Sequence, residues 1–190
     1  MTWYVVDGMD GSGKSTVAGI IADELGSRGR SVAVMTHPNR GTRVGRMELE
    51  MLRKEGKAAL LASTALYILD VLHSIFLMKG RMRGYDDLVF VRYSMAVAYL
   101  PDRLCRPAYR VITAVLPKPD VSVLVDVDPE TAMGRISDRG EELEVFETVE
   151  RLDRVRVRML SVSEGWIVLE NTGDMGALEE DVRSHVLAAE

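Results

Sequence analysis

The sequence predicts a three-layer α/β/α fold, in which a parallel sheet of about five strands lies between helices. Short apolar runs alternate along the chain with longer segments of helical period, and this alternation is typical of a parallel sheet covered by helices. The 190 residues are 47% hydrophobic, which is enough for one sizeable core but short for two ordinary domains. We therefore expect residues 1–190 to form a single domain.

Five apolar runs predict the strands of this sheet. In chain order they are residues 3–7, 32–36, 88–91, 121–127 and 166–169. Between the first two runs, four apolar residues recur at helical spacing, namely Val17, Ile20, Ile21 and Leu25. Gly26 and Gly29 then end the predicted helix. These first elements predict one βαβ unit.

Further helices are predicted downstream. Pro129 begins one after the fourth strand, residues 142–163 predict a long charged helix, and residues 177–189 predict the last one. Residues 58–78 are almost wholly apolar, but Asp70 and His73 interrupt them. Because an Asp near the middle of a membrane span costs about 3 kcal/mol, we expect a helix buried in the core or in a dimer interface.

Composition and charge argue against several classes of protein. A net charge of −5 disfavours a broad basic surface for nucleic acid, so an anionic ligand must be bound locally. The N-terminus does not resemble a secretory signal, because Asp7, Asp10 and Lys14 precede any long apolar run. Cys105 is the only cysteine, which excludes an intrachain disulfide and favours a buried thiol. We expect a cytoplasmic protein that binds neither membranes nor nucleic acid polymers.

One motif carries the chemistry. Residues 8–16 match the phosphate-binding P-loop pattern G-x-x-x-x-G-K-S/T, directly after a predicted strand and at the start of a predicted helix. They are Gly8, Met9, Asp10, Gly11, Ser12, Gly13, Lys14, Ser15 and Thr16. Glycines let successive backbone N–H groups approach phosphate oxygens, and the helix N-terminus adds a favourable dipole. The pattern predicts binding of a nucleoside triphosphate, with a plain glycine-rich turn as the alternative.

Lys14 and Ser15 define the reaction expected at this loop. Lys14 would place a positive charge beside the β and γ phosphates, and the Ser15 hydroxyl would bind the Mg²⁺ ion that bridges them. Because phosphoryl transfer depends on positioning and charge neutralisation, further cationic side chains should surround the transferred group. We therefore expect a phosphotransferase that uses ATP and Mg²⁺.

Other segments extend this pattern along most of the chain. The opening loop has the form acid-G-x-D-G-x-G-K-S/T-T, and residues 37–45, His-Pro-Asn-Arg-Gly-Thr-Arg-Val-Gly, are similar to F-P-x-R-x-T-x-x-G. Four shorter matches follow, which are Arg92-Tyr93 to D-R-Y/H, Ala98-Tyr99 to A-Y, Pro119-Asp120 to P-D, and Asp128-Pro129-Glu130 with Arg135 to P-E…R. In this order and spacing the segments resemble the thymidylate kinase family.

The resemblance implies roles for the matching residues. Arg40 and Arg92 would bind the acceptor monophosphate, and Asp10 would lie between the acceptor sugar and the reacting phosphates. Arg135 and Arg139 would contact the donor from a lid at about residues 135–147, although a charged surface helix is the alternative. The remaining acceptor contacts would be Pro38, Tyr67 and Tyr99, with Tyr67 equally placed to be a core aromatic.

The adenine site is expected at Asn171 and Thr172. They follow the last predicted strand, at the carboxyl edge where open α/β sheets bind ligands. A plain loop would have the same sequence. We nevertheless count both residues among the candidate ATP contacts.

Two residues depart from the family pattern. Val91 replaces the acid of D-R-Y/H that is expected to assist the magnesium shell, and valine cannot accept a hydrogen bond. Asp7, Asp10 and Asp126 are the candidate substitutes, with Asp10 favoured because it lies inside the loop. Val71 stands near Asp70 where the family carries a base-reading arginine. The acceptor base is therefore not fixed by the sequence.

The function expected from these observations is a nucleoside monophosphate kinase. It would transfer the γ-phosphoryl group of ATP to a nucleoside or deoxynucleoside monophosphate, with dTMP as the first candidate. A kinase of another small acceptor and a nucleotide-binding regulator with weak or lost transferase activity are the alternatives. A GTPase switch is disfavoured, because the sequence has no N-K-x-D signature for guanine. The resemblance and the apolar residues 58–78 favour a homodimer.

Overall fold

The computed structural model describes residues 1–38, 46–47, 66–67, 69–76, 84–138 and 148–188. Its five strands form one sheet in the order β2-β3-β1-β4-β5, and every neighbouring pair is parallel. The strands are β1 (Thr2–Asp7), β2 (Val32–Thr36), β3 (Asp87–Val91), β4 (Val121–Asp126) and β5 (Ile167–Glu170). The predicted strands are confirmed, each end lying within one residue of its predicted position.

Helices connect the strands. They are α1 (Lys14–Ser27), α2 (Asp102–Val115), α3 (Pro129–Ser137), α4 (Val149–Ser161) and α5 (Met175–Asp181). A 3₁₀ helix at Met95–Tyr99 precedes α2, and a π-helical turn at Val182–Val186 follows α5. Residues 69–76, inside the apolar stretch, are also helical.

Alternating strand residues face two different helical layers. On β1, Tyr4 and Val6 belong to the core cluster that includes α1 and the end of the chain, through Val17, Ile21, Leu25, Leu178 and Val182. Trp3 and Val5 belong to a cluster on the other face, together with Val71 and Ile75 of the helical residues 69–76. Leu124 of β4 packs on that same side against α3 and α4. The central strands are thus buried on both faces, which explains their nearly continuous apolar sequence.

Three helix predictions needed correction. The predicted helix 142–163 begins at Val149, because Thr148 is extended and its hydroxyl accepts a hydrogen bond from the Arg151 amide as a cap. The predicted helix 177–189 begins earlier, at Met175 after the Asp174 cap, and becomes a π-helical turn at Val182. Helix α2 was missed, and it holds Pro107 in its interior.

Some predictions fall outside the described residues. They concern Arg40, Arg139 and the lid beyond residue 138. Among the residues that are described, no helix has both the length and the apolar character needed to cross a membrane.

Candidate active site

The predicted loop lies at the carboxyl edge of the sheet. It leaves the central strand β1, which pairs with β3 on one side and β4 on the other. Residues that follow these neighbouring strands, Arg92 after β3 and Asp126 at the end of β4, therefore flank the loop. This is the edge at which parallel α/β sheets bind their ligands.

Helix α1 begins without the side-chain cap that α3, α4 and α5 possess. Asp128, Thr148 and Asp174 cap those three helices by accepting a backbone N–H. The cap position of α1 is Gly13, which supplies no side chain, and the first turn contains no acidic residue. The N-terminal N–H groups of this helix and the positive end of its dipole thus fit an anion such as phosphate.

Glycine is required where the loop touches the rest of the site. Gly13 has a φ of 95°, and a Cβ there would lie 2.3 Å from Asn171 Nδ2. Gly11 has a φ of 76°, and its Cβ would lie 2.4 Å from the Ala132 carbonyl oxygen. Asn171 Nδ2 also donates to the Ser12 carbonyl at 2.8 Å, so the end of β5 supports the loop. Asn171 therefore has a structural role that sequence reasoning did not assign.

Lys14 is folded back onto its own loop. Its side chain is buried, with Nζ donating to the Met9 carbonyl at 2.6 Å and lying 3.8 Å from Asp10 Oδ1. A lysine ammonium is a compact charge on a flexible stem, so it can exchange a carbonyl partner for phosphate oxygens. The position fits the role predicted for Lys14.

The structure brings three of the candidate site residues together, namely Asp10, Arg92 and Tyr99. Arg92 Nη2 donates to Asp10 Oδ1, and the Tyr99 hydroxyl donates to Asp10 Oδ2 at 2.7 Å. The amide of Asp10 in turn donates to the Tyr99 oxygen at 3.2 Å. Burial, followed by the nearby Asp10 charge, raises the pKa of Tyr99 well above its ordinary value. Tyr99 thus remains a hydrogen-bond donor at any working pH.

Asp7 anchors the segment that follows Arg92. Its Oδ2 accepts hydrogen bonds from the amides of Tyr93, Ser94 and Met95, each at 3.1 Å. Burial raises the pKa of Asp7, while these three bonds and Lys14 act in the opposite direction. Arg92 has a φ of 65°, an uncommon backbone conformation for a residue with a side chain. Sequence reasoning had weighed Asp7 only as a metal ligand and missed this anchoring role.

The three carboxylates weighed as substitutes for Val91 are all engaged by protein donors. Asp126 accepts two hydrogen bonds from Arg156 of α4, at 2.7 Å each. Asp7 and Asp10 are held as described above, and Val91 itself is buried in the core cluster beside α1. Within the described ranges, no three His, Cys, Asp or Glu side chains are grouped to hold a metal.

The site nevertheless fits a magnesium ion that takes most of its ligands from phosphate and water. Magnesium bound in this way needs only one or two protein oxygens. Ser15 lies exposed in the first turn of α1, where its hydroxyl can supply one of these protein oxygens. Asp10 could supply a carboxylate oxygen as well, because each of its oxygens has two lone pairs.

Arg135 lies on the opposite side of the loop from Arg92. Its guanidinium donates to the Gly11 carbonyl at 3.4 Å and to the backbone and side-chain oxygens of Asn171 at 3.3 and 3.4 Å. Gly173 N donates to Asn171 Oδ1 at 3.2 Å. Arg135 and Asn171 thus meet beside the loop, and the exposed Thr172 follows Asn171 in the chain.

The predicted acceptor side is partly described. Tyr67 is half-buried, packs on the core cluster that contains Phe90, and donates through its hydroxyl to the Tyr93 carbonyl at 2.5 Å. Pro38 follows His37 directly after β2. Val71, in place of the family's arginine, is buried in the core. His37 stands where the family pattern F-P-x-R has its phenylalanine, and it is buried.

Comparison with known proteins agrees with this geometry. The family model described as thymidylate kinase matches residues 6–182. The chain is 33% identical to a probable thymidylate kinase of Pyrobaculum calidifontis, over 95% of this chain and 93% of the relative. It is 29% identical to a probable thymidylate kinase of Archaeoglobus fulgidus, over 94% and 91%. A thymidylate kinase of Xanthomonas euvesicatoria pv. vesicatoria is 26% identical, over 97% and 82%. With a matching loop, sheet and arginine positions, the chain belongs to the thymidylate kinase family.

Proposed function

We propose that this protein transfers the γ-phosphoryl group of ATP to a nucleoside monophosphate, with dTMP as the first acceptor to be tested. The observation that carries the proposal is the meeting of Lys14 and Arg92 at the Asp10 carboxylate. Lys14 belongs to the phosphate-binding loop and Arg92 to the end of the neighbouring strand. Cations for the two phosphates of a transfer reaction therefore lie on either side of one carboxylate.

The residues divide between donor and acceptor. Lys14, the amides of residues 8–16 and Arg135 would bind the triphosphate, while Arg92 would bind the acceptor phosphate with the paired hydrogen bonds that guanidinium forms. Asp10 and Tyr99 would orient Arg92 and the acceptor sugar. When bound through Ser15, Mg²⁺ would supply further neutralisation of the β and γ phosphates.

A coupled assay with a panel of nucleoside monophosphates tests this proposal. We expect turnover well above background ATP hydrolysis with at least one acceptor, and dTMP is expected to be used. No transfer to any acceptor would contradict the proposal. Substitution of Arg92 by Ala should raise the acceptor KM while leaving the affinity for ATP nearly unchanged, and equal damage to both would show that Arg92 was assigned to the wrong ligand.

Val91 and Val71, which replace polar residues of the family pattern, favour two alternative functions. The absence of the family's acid at Val91 favours a nucleotide-binding regulator with weak or lost transferase activity. Tight ATP binding without transfer would support that function, and restored activity in Val91→Asp would contradict it. The loss of the base-reading arginine at Val71 favours a kinase of another small acceptor, which the same acceptor panel would identify.

The proposed function also includes the domain organisation and the oligomeric state of the protein. We propose that residues 1–190 fold as one domain whose lid spans about residues 135–147, and that two copies pair through the apolar stretch at 58–78. Leu69, Leu72 and Phe76 are exposed on the helical residues 69–76, which supports this pairing. A cytoplasmic location and small-molecule nucleotides as partners, without a nucleic acid polymer or a membrane, complete the proposed function.

A further inference from the structure

The buried side chain of His37 connects the backbone of Arg92, the predicted acceptor arginine, with the side chain of Ser74. His37 follows β2 and is only 1% exposed. Its Nδ1 lies 2.8 Å from the carbonyl oxygen of Arg92, and its Nε2 lies 2.8 Å from Ser74 Oγ. Ser74 is fully buried on the helical residues 69–76. The sequence therefore places a polar ring where the family pattern has a phenylalanine.

The partners of His37 define its tautomer. A backbone carbonyl can only accept a hydrogen bond, so Nδ1 must carry the proton and donate to Arg92. Burial lowers the pKa of His37, although its bonds to the Arg92 and Val91 backbone and the Asp70 and Asp7 charges act in the opposite direction. The ring is thus neutral, and its bare Nε2 accepts the hydrogen bond that the Ser74 hydroxyl donates.

The hydrogen bond from His37 fixes the carbonyl end of the peptide between Arg92 and Tyr93. The carbonyl of the peptide between Arg92 and Tyr93 accepts from His37, while its N–H donates to Asp7 Oδ2 at 3.1 Å. The Arg92 amide on the other side donates to the Val6 carbonyl at 3.0 Å. These bonds hold Arg92 at a φ of 65°, a conformation that would otherwise be disfavoured.

The ring is itself held rigidly. It packs against Phe90 in an edge-on contact, with ring centroids 5.5 Å apart and planes at 65°. The backbone amide of His37 donates to the Val91 carbonyl at 3.0 Å. His37 can therefore present its proton to Arg92 without ordering a flexible side chain, so the geometry of Arg92 is set before any ligand binds.

We propose that His37 is a positioning residue, whose Nδ1–H holds the Arg92 backbone so that the guanidinium points at Asp10 and the acceptor phosphate. This inference rests on the proposed function, because it assumes that Arg92 binds the acceptor. Ser74 stabilises this tautomer, because its hydroxyl donates a hydrogen bond to Nε2 of the ring. Because His37 is buried and its ring nitrogens contact Arg92 and Ser74, we expect its effect to appear in acceptor binding through Arg92.

Three substitutions separate this role from simple core packing. His37→Phe keeps a ring but removes the donor, His37→Asn retains an N–H near the place of Nδ1, and His37→Gln moves the amide outward toward Ser74. We expect His37→Phe and His37→Gln to raise the acceptor KM about tenfold, the effect of one lost hydrogen bond, with the ATP KM within about twofold. His37→Asn should recover most of the affinity. Ser74→Ala, which leaves the Nδ1–H in place, should change the acceptor KM by less than about threefold.

Two outcomes would overturn the inference. One is an acceptor KM in His37→Phe or His37→Gln equal to that of the wild type. The other is equal damage in the asparagine and glutamine variants, which would indicate packing alone. If His37→Phe fails to fold, the comparison between Asn and Gln decides the question.

A spectroscopic measurement tests the inference independently of activity. The protein has three histidines, so ¹⁵N NMR of the ring nitrogens can be assigned to His37 by comparison with His37→Asn. We expect a protonated Nδ1 and a bare Nε2, and the opposite tautomer would contradict the proposal. Failure of the wild type to transfer phosphate would contradict the proposed function alone and leave this result standing.

Discussion

At the scale of single residues, Asp10 links the two halves of the site. It lies within reach of Lys14 on the donor side and accepts a hydrogen bond from Arg92 on the acceptor side. These two cations share one buried carboxylate, which reduces the cost of placing their charges in the site. Each phosphate that binds must replace part of this internal pairing.

Removal of the lysine should abolish the reaction. Lys14→Ala deletes the cation that the loop directs at the β and γ phosphates, so we expect kcat to fall by at least about a hundredfold. Affinity for ATP should also fall, as measured by calorimetry with Mg²⁺ present. Lys118→Ala is a suitable control, because Lys118 lies in the loop before β4. Unchanged turnover in Lys14→Ala would overturn the assignment of the loop.

His37 should make the fold sensitive to mild acid. Its folded-state pKa lies below the ordinary value of 6.5, so at acidic pH the unfolded chain binds a proton that the folded protein does not. The stability that this difference contributes is fully present above the unfolded pKa and is lost as the pH falls toward the folded pKa. The free energy of unfolding of the wild type should therefore decline relative to that of His37→Phe between about pH 7.5 and about pH 5.5. Urea denaturation of both proteins checks this, and parallel curves would be the contrary result.

At the scale of elements, the structure at the N-terminus of α1 should require glycine at position 13. Gly13→Ala adds a Cβ at a φ of 95° and 2.3 Å from Asn171 Nδ2. We expect a loss of about 2 kcal/mol in unfolding free energy and much weaker ATP binding.

A second glycine in α1 provides the matched control. At Gly19 an added Cβ would meet no atom within 4 Å. Gly19→Ala should therefore stabilise the protein by about 0.5–1 kcal/mol through helix propensity and leave ATP binding unchanged. Thermal unfolding and calorimetry compare the two variants, and similar losses in both would refute the argument for the loop.

The elements also show which features a sequence can predict. The central strands β3, β1 and β4 were predicted closely because each is buried on both faces and so forms an apolar run with distinct ends. The edge strands β2 and β5 expose Val34 and Val168 on one face, but they are still short apolar runs. Helix α2 was missed because Pro107 in its interior signals a break, and because Cys105 is its only fully buried residue. The start of α4 was placed too early, because charged residues continue across the Thr148 cap without a change in composition.

The site was predictable only where a motif fixes both residue and position. The loop was identified because its motif is contiguous in sequence, and Arg92 was identified because its segment resembles that of the family. Asp7 and His37 act through contacts with residues 93–95 and with Arg92 and Ser74, which are far away in the chain. Local pattern cannot reveal such pairings, since they follow from the order of strands in the sheet.

At the scale of the whole molecule, the helical residues 69–76 offer a test of the proposed homodimer. Leu69, Leu72 and Phe76 are spaced to lie on one side of a helix and are 54%, 45% and 73% exposed. Phe76→Glu should shift the protein to a monomer, as measured by light scattering, because a charge in an apolar interface is costly. Val157→Glu, at a residue 59% exposed on α4, is the control. A monomeric wild type, or a dimer that survives Phe76→Glu, would contradict the proposal.

The central place of β1 has a consequence during protein synthesis. This strand precedes its partners along the chain, since Thr2 pairs with Asp87 and Tyr4 with Val121. Parallel strands cannot pair through a local hairpin, so β1 lacks a partner on one side until β4 has been synthesised. The support that Asn171 gives to Ser12 arrives later still. A stalled or truncated chain can thus carry every letter of the phosphate-binding motif and still lack the scaffold that makes it a site.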